Sequence, residues 1–151
     1  MKMTGRIEGG LQLSRALRSL PEAVSNRVVK SALLAAAEPI QNTGSAIAPR
    51  APGAPDLAEH IVISVARREE PGDVAVVIGP ANERRADTGT NYSVQGLMVE
   101  LGTARMRAQP FMRPAFEANA EQSFRTLQRL LWDAIARHAG TRGQRGSGVG
   151  V

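Results

Sequence analysis

The side chains able to carry chemistry are few and widely spaced. His60 opens one apolar run and His138 closes another, and neither belongs to a His-x-x-x-His pair of the kind that holds a metal on one helix face. No Gly-x-Ser-x-Gly elbow is present to raise a serine nucleophile, since Gly146-Ser147-Gly148 follows no strand pattern. The glycines between 140 and 150 lack the Gly-Lys-Ser/Thr ending of a phosphate-binding loop. Glu69 and Glu70 stand together at a turn, where carboxylates are solvated. Glu83 and Asp87 lie among Arg84 and Arg85, a pattern of local charge pairing. An acid/base pair needs surroundings that push two pKa values apart, and neither pair has them. With no cysteine, disulfides, thiolate zinc sites and cysteine nucleophiles are excluded. The expectation is a chain with no catalytic, metal or cofactor site, and not an enzyme.

Arginine is the other candidate chemistry. Arg84 and Arg85, Arg105 and Arg107, and Arg137, Arg142 and Arg145 form clusters that can pair phosphates or carboxylates. The chain carries Lys+Arg 19 against Asp+Glu 14, a formal charge of +5. That excess attracts acidic partners in a general way. No aromatic residues interleave with the arginines, so a stacking reader of single strands is disfavoured. A role lining a DNA channel needs only positive charge and stays open as the alternative.

These residues must be positioned by a single domain. The 151 residues are 42% apolar and 3% aromatic, so the core must be aliphatic. The charged start has no apolar run behind it and no apolar run reaches bilayer length, so neither a signal peptide nor a membrane partner is expected. Residues 1–9 read as a loose or strand-like lead. Leu13, Ala16, Leu17 and Leu20 have helical spacing. Pro21 suits the first position of a second helix, which the apolar pattern carries to about residue 48 with a kink expected at Pro39. A Pro/Gly loop at 49–56 precedes strands at 60–66 and 74–78, joined by a Pro71-Gly72 turn as a β-hairpin. In the first, Ile61, Ile63 and Val65 share a face; the second, more uniformly apolar, should be the more buried. Residues 79–92 form a long polar loop, a kind usually functional or disordered. Residues 93–102 read as a short helix, with a strand as the alternative. Val94, Leu97, Met98 and Leu101 are its stripe, Ser93 its N-cap and Gly102 its stop. A last helix should run from about 114 to 138 on Phe116, Ala120, Phe124, Leu127, Leu131 and Ile135 and stop at Gly140. The domain is then 1–139, with 140–151 a flexible Gly/Arg-rich tail.

Between the last two helices lies the densest stretch: Val99-Glu100-Leu101-Gly102-Thr103, a loop with Arg105 and Arg107, then Ala108-Gln109-Pro110-Phe111-Met112-Arg113-Pro114-Ala115-Phe116-Glu117. Glu100, Gly102, Thr103, Pro110, Phe111, Arg113 and Pro114 make a structural corner that docks the last helix. Phe111 should be buried, contributing on the order of 2 kcal/mol. Glu100 and Arg113 either pair across the corner or stand as solvated charges. Arg84, Arg85, Asp87, Arg105, Arg107, Arg142 and Arg145 are the candidate partner contacts.

This stretch resembles the signature of the HK97 gp10-like family of tailed bacteriophages, which is close to Val-Glu-Phe-Gly-Thr, a short loop and Ala-x-Pro-Phe-Leu-Arg-Pro-Ala. Leu17 to Pro21, the Ala-rich helix, Ala48-Pro49 and Gly53 agree with it, so the resemblance spans roughly residues 10–135. Leu101 departs from it where an aromatic is common. Ala54-Pro55-Asp56-Leu57 lacks the usual Thr-Gly-x-Leu spacing, and the tail past Gly140 is outside it. The resemblance implies an α+β fold: a small antiparallel sheet against a long kinked N-terminal helix and a long C-terminal helix. It also implies a neck or tail-completion protein of the virion, assembled in the host cytoplasm as a ring, with six subunits expected from the sixfold tail tube. Its partners would be its own copies, a head-completion (stopper) or connector protein and the tail tube protein, with DNA passing through the lumen.

Overall fold

The computed structural model describes residues 10–50, 56–66 and 74–144. The lead at 1–9, most of the Pro/Gly loop, the Pro71-Gly72 turn and Arg145 lie outside the described residues. The order is α1 (Gly10–Arg18), α2 (Glu22–Ile47), a 3-10 turn (Leu57–His60), β1 (Ile61–Val65), β2 (Val76–Pro80), α3 (Tyr92–Leu101) and α4 (Met112–Gln144). The class is α+β, as expected: a two-stranded antiparallel sheet with long helices near each end of the described chain.

Small residues let the two long helices approach. Ala32, Ala36 and Ala37 of α2 and Ala115 of α4 are buried. The Asn119 amide crosses between the helices to donate to Thr43 Oγ1 at 2.8 Å. Pro39 sits inside α2, which runs on to Ile47. Pro21 is the cap residue just before α2 rather than its first turn. Helix α1 folds back on this pair, burying Leu13 with Ala32 and Leu131. A second cluster, Leu57, Ile61, Tyr92, Val99 and Phe111, ties the strands to α3 and the start of α4.

Several expectations need correction. The second strand is Val76–Pro80, two residues later than its apolar run suggested, because its register pairs Ile61 with Pro80 and Val65 with Val76. It is not the more buried strand: Ile61 of β1 is buried, whereas no residue of β2 is. Among the described residues the sheet is covered on one face only, and Val77 on the other is 54% exposed. A continuous apolar run does not choose a face, so burial follows from which face the helices cover. The last helix begins at Met112 and passes Gly140 to reach Gln144. A glycine costs a helix only ~1 kcal/mol, so it is no obligatory stop, and His138 is not in the last turn. The face of α4 turned inward centres on Ala115, Ser123 and Leu131, while Phe124 and Trp132 are each 37% exposed.

One glycine is required by packing. A Cβ at Gly96 would lie 2.3 Å from Pro80 Cγ. Gly96→Ala would gain ~1 kcal/mol of helix propensity on an open helix, but here it forces α3 off the rigid proline ring, which costs about 1–3 kcal/mol. Net destabilisation in urea unfolding is expected, and a gain in stability would mean that α3 does not rest on Pro80.

Candidate assembly surface

The corner after α3 is built from backbone geometry. Gly102 ends the helix with φ 77° and ψ 176°, its N–H bonded to the Met98 carbonyl. A Cβ there would lie 2.6 Å from the Ala108 nitrogen, so both conformation and space require glycine. The Thr103 and Met106 backbones bond each other, carrying Arg105 at the tip of a tight turn. The Gln109 N–H returns to the Val99 carbonyl at 2.8 Å. The chain then enters α4 at Phe111, which is fully buried, as expected.

Glu100 makes the corner a joint. Its Oε2 accepts from the N–H groups of Phe111 at 2.7 Å and Met112 at 2.9 Å, and its Oε1 accepts from Arg113 at 3.1 Å. The first amides of a helix have no partner within it, and a carboxylate there also meets the positive end of the helix dipole. Pro114 sits in the first turn, where its missing N–H costs nothing. The expected choice for Glu100, a side-chain pair with Arg113 or a solvated charge, is resolved as neither. Glu100 takes the backbone of residue 113, and the Arg113 side chain is exposed. A local signal existed: Ala108 to Phe111 contain no Ser, Thr, Asp or Asn to cap α4.

The long loop is pinned by a charged network rather than free. Arg85, 9% exposed, donates from Nε to Asp87 Oδ1 at 2.9 Å and from Nη2 to Oδ2 at 2.8 Å. Its Nη1 donates to Asp56 Oδ1. The Tyr92 hydroxyl donates to Asp56 Oδ2 at 2.7 Å. His60 stacks on Tyr92 with ring centroids 3.8 Å apart, and its Nδ1 donates to the Asp56 carbonyl at 3.0 Å. Arg85 therefore faces inward, whereas Asp87, which it holds, is exposed. The pairing inferred from adjacent charges is correct for Arg85 and Asp87. Arg84 is exposed and donates to the Gly89 carbonyl of its own loop at 3.1 Å. Asp56 was missed in the sequence. Its only signal was a place four residues before His60, ahead of the Leu57 turn. The N-cap of α3 is Asn91, which accepts from the Ser93 N–H, so Ser93 is not the cap.

Charge shifts follow from these bonds. The bidentate Arg85 contact holds Asp87 down at about 2. The Tyr92 hydroxyl, then Arg85, hold Asp56 below its ordinary value. Tyr92 is raised by its bond to Asp56. Both oxygens of each carboxylate are occupied by partners, so the network is arranged to hold the loop against α3. Among the described residues no cluster of three or more His, Asp or Glu forms a metal site.

What the corner presents outward is apolar and basic. Val94, Leu97, Met98 and Leu101, the stripe that the spacing marks, are 46–60% exposed, while Tyr92, Gly96 and Val99 face inward. Helix α3 is apolar on both sides. Arg105, Arg107 and Arg113 beside it are exposed and have no ion-pair partner among the described residues. Thr103 and Pro110 are also exposed. Arg142 lies on the last turn of α4, and its side chain is outside the described residues. No helix among the described residues is long and apolar enough to cross a membrane. No family model, curated protein or solved structure matches the chain, so the resemblance stands on the residues that carry it.

Two outcomes test the joint and the network. Glu100→Ala should cost about 2 kcal/mol by stranding the α4 amides. Arg113→Ala should change stability by less than about 0.5 kcal/mol. A double-mutant cycle in urea should then show no coupling. Asp56 and Asp87 have folded pKa values below an unfolded value of ~3.9. Their contribution is complete above that pH and is lost as pH falls through the folded values, toward about 2 for Asp87. The thermal midpoint should drop between pH 5 and pH 2.5, and Arg85→Met should flatten that dependence.

Proposed function

We propose that the chain is a structural subunit of a tailed-bacteriophage neck, joining head connector to tail tube as a ring in a tail-completion or terminator role. One observation carries this: the exposed apolar stripe of α3 leads into a corner whose exposed arginines have no ion-pair partner among the described residues. Contiguous apolar surface rimmed by charge marks protein–protein contact. The motif resemblance supplies the setting, with sixfold closure taken from the tail tube. A head-to-tail contact between copies closes into a ring when its rotation allows. The stripe would face a neighbouring copy, and Arg105, Arg107 and Arg113 a connector protein, the tail tube protein or DNA in the lumen. The location is then the virion, after assembly in the host cytoplasm.

The exposed arginines of the corner also favour a second reading, a basic accessory protein that binds or lines DNA. It predicts affinity that falls steeply with salt.

Leu97→Asp combined with Leu101→Asp alters exposed positions only. The variant should keep its circular dichroism spectrum and thermal midpoint but sediment as a monomer under conditions where the wild type forms rings. A wild type that stays monomeric at all concentrations, alone and with connector and tail tube proteins, would sink the ring. DNA binding without self-association would select the second reading.

A further inference from the structure

The exposed stripe of α3 has a counterpart elsewhere on the same molecule. A cleft of about 170 Å³ is walled by Leu33 and Ile40 of α2, Val76 and Ile78 of β2, and Phe116 and Phe124 of α4. Val94, Leu97, Met98 and Leu101 of the stripe do not line it. Helix α3 is fixed by its other side, which rests on Pro80 through Gly96 and joins the buried cluster through Tyr92 and Val99. Stripe and cleft are therefore separate patches, and one copy can offer them to two different neighbours.

The two patches match in size. Val94 to Leu101 on α3 and Leu33 to Ile40 on α2 each cover roughly 10 Å of helix axis. A cavity of ~150 Å³ holds one benzene ring, so the cleft takes one or two side chains rather than a whole helix. Leu97 and Leu101 stand one turn apart and are the most exposed of the stripe, at 59% and 60%. They are the side chains placed to enter it. The patches also match in charge. Glu117, Glu121 and Phe124 are spaced four and three apart and share one side of α4, so carboxylates border the Phe124 lip of the cleft. Both glutamates are exposed, and Glu121 pairs with Arg125. The stripe runs into the tight turn that carries exposed Arg105 and Arg107. A stripe set corner to corner against its own twin would bring arginine onto arginine, which charge complementarity disfavours. It would also close as a two-fold dimer.

We propose that Leu97 and Leu101 of one copy seat in the cleft between α2 and α4 of the next copy, with Arg105 and Arg107 facing that neighbour's Glu117 and Glu121. The contact is head-to-tail, because donor and acceptor are different patches and every copy uses both. It rests on the ring assignment and names the surface that receives the stripe. A standard interface buries ~800 Å² per partner, more than four side chains of one short helix supply. A single contact is therefore weak, and closure of the ring supplies the multiplicity that holds it.

Sedimentation of the full chain and its variants tests the pairing. Ala120 lines the cleft with a single methyl, and Ala120→Trp fills it. That variant should keep its circular dichroism spectrum, while its dissociation constant for self-association rises at least ~30-fold, as for a blocked hot spot. Should it fail to fold, Phe124→Asp at the exposed lip should weaken association in the same way. A 1:1 mixture of the cleft-filled variant with the Leu97→Asp, Leu101→Asp variant leaves one intact stripe facing one intact cleft. Each variant alone should stay monomeric, and the mixture should stop at heterodimers, seen at ~100-fold higher concentration because ring closure is lost. Glu117→Arg should weaken association ~10-fold, and Arg105→Glu in the same chain should restore it. Rings from the cleft-filled variant at wild-type affinity, or a mixture that stays monomeric, would overturn the pairing and leave the neck reading standing. A wild type that is monomeric alone yet joins connector or tail tube proteins would do the same.

Discussion

The structure depends on one carboxylate. Glu100 stands at the end of α3, and its oxygens gather the first amides of α4. Without an acceptor there, the longest helix in the molecule would begin with unsatisfied donors beside a fully buried Phe111. With it, the direction of α4 is set by α3, which in turn rests on Pro80 through Gly96 and on the 3-10 turn through Tyr92 and Asp56. The ring of Phe111 and the amides around it are satisfied together, one by apolar packing and the other by charge.

The Arg85 network does for the long loop what Glu100 does for the last helix. A buried guanidinium is tolerated only where its donors are taken, and here Asp87 and Asp56 take them. The polar loop is fastened to the 3-10 turn ahead of β1, through Asp56, and to the start of α3, through Tyr92. The consequence is a rigid base beneath α3 that frees the helix's other face. Leu97 and Leu101 stay exposed because Tyr92, Gly96 and Val99 already supply the face that the fold buries.

Much of the fold was legible. Helical spacing placed α1 and α2. The paired apolar runs announced a hairpin, and the corner announced a buried Phe111. The misreadings share a cause. Periodicity shows that a stripe exists but not which side of the chain will cover it. The Val94, Leu97, Met98 and Leu101 stripe points out, β2 is not the more buried strand, and α4 is turned toward Ala115 and Ser123 rather than Phe124.

The sequence by itself determined the aliphatic character of the core, the α+β class, the stop of α3 at Gly102 and the lack of any cysteine chemistry. These follow from residue type and short-range spacing, which act through local sterics and burial. Only the tertiary structure decided that Glu100 caps a helix eleven residues away, that Asp56 meets Arg85, and that Arg85 faces inward while Arg105 faces out. Those choices depend on which distant amide or guanidinium arrives beside a carboxylate once the helices have packed, and no local pattern encodes that arrival.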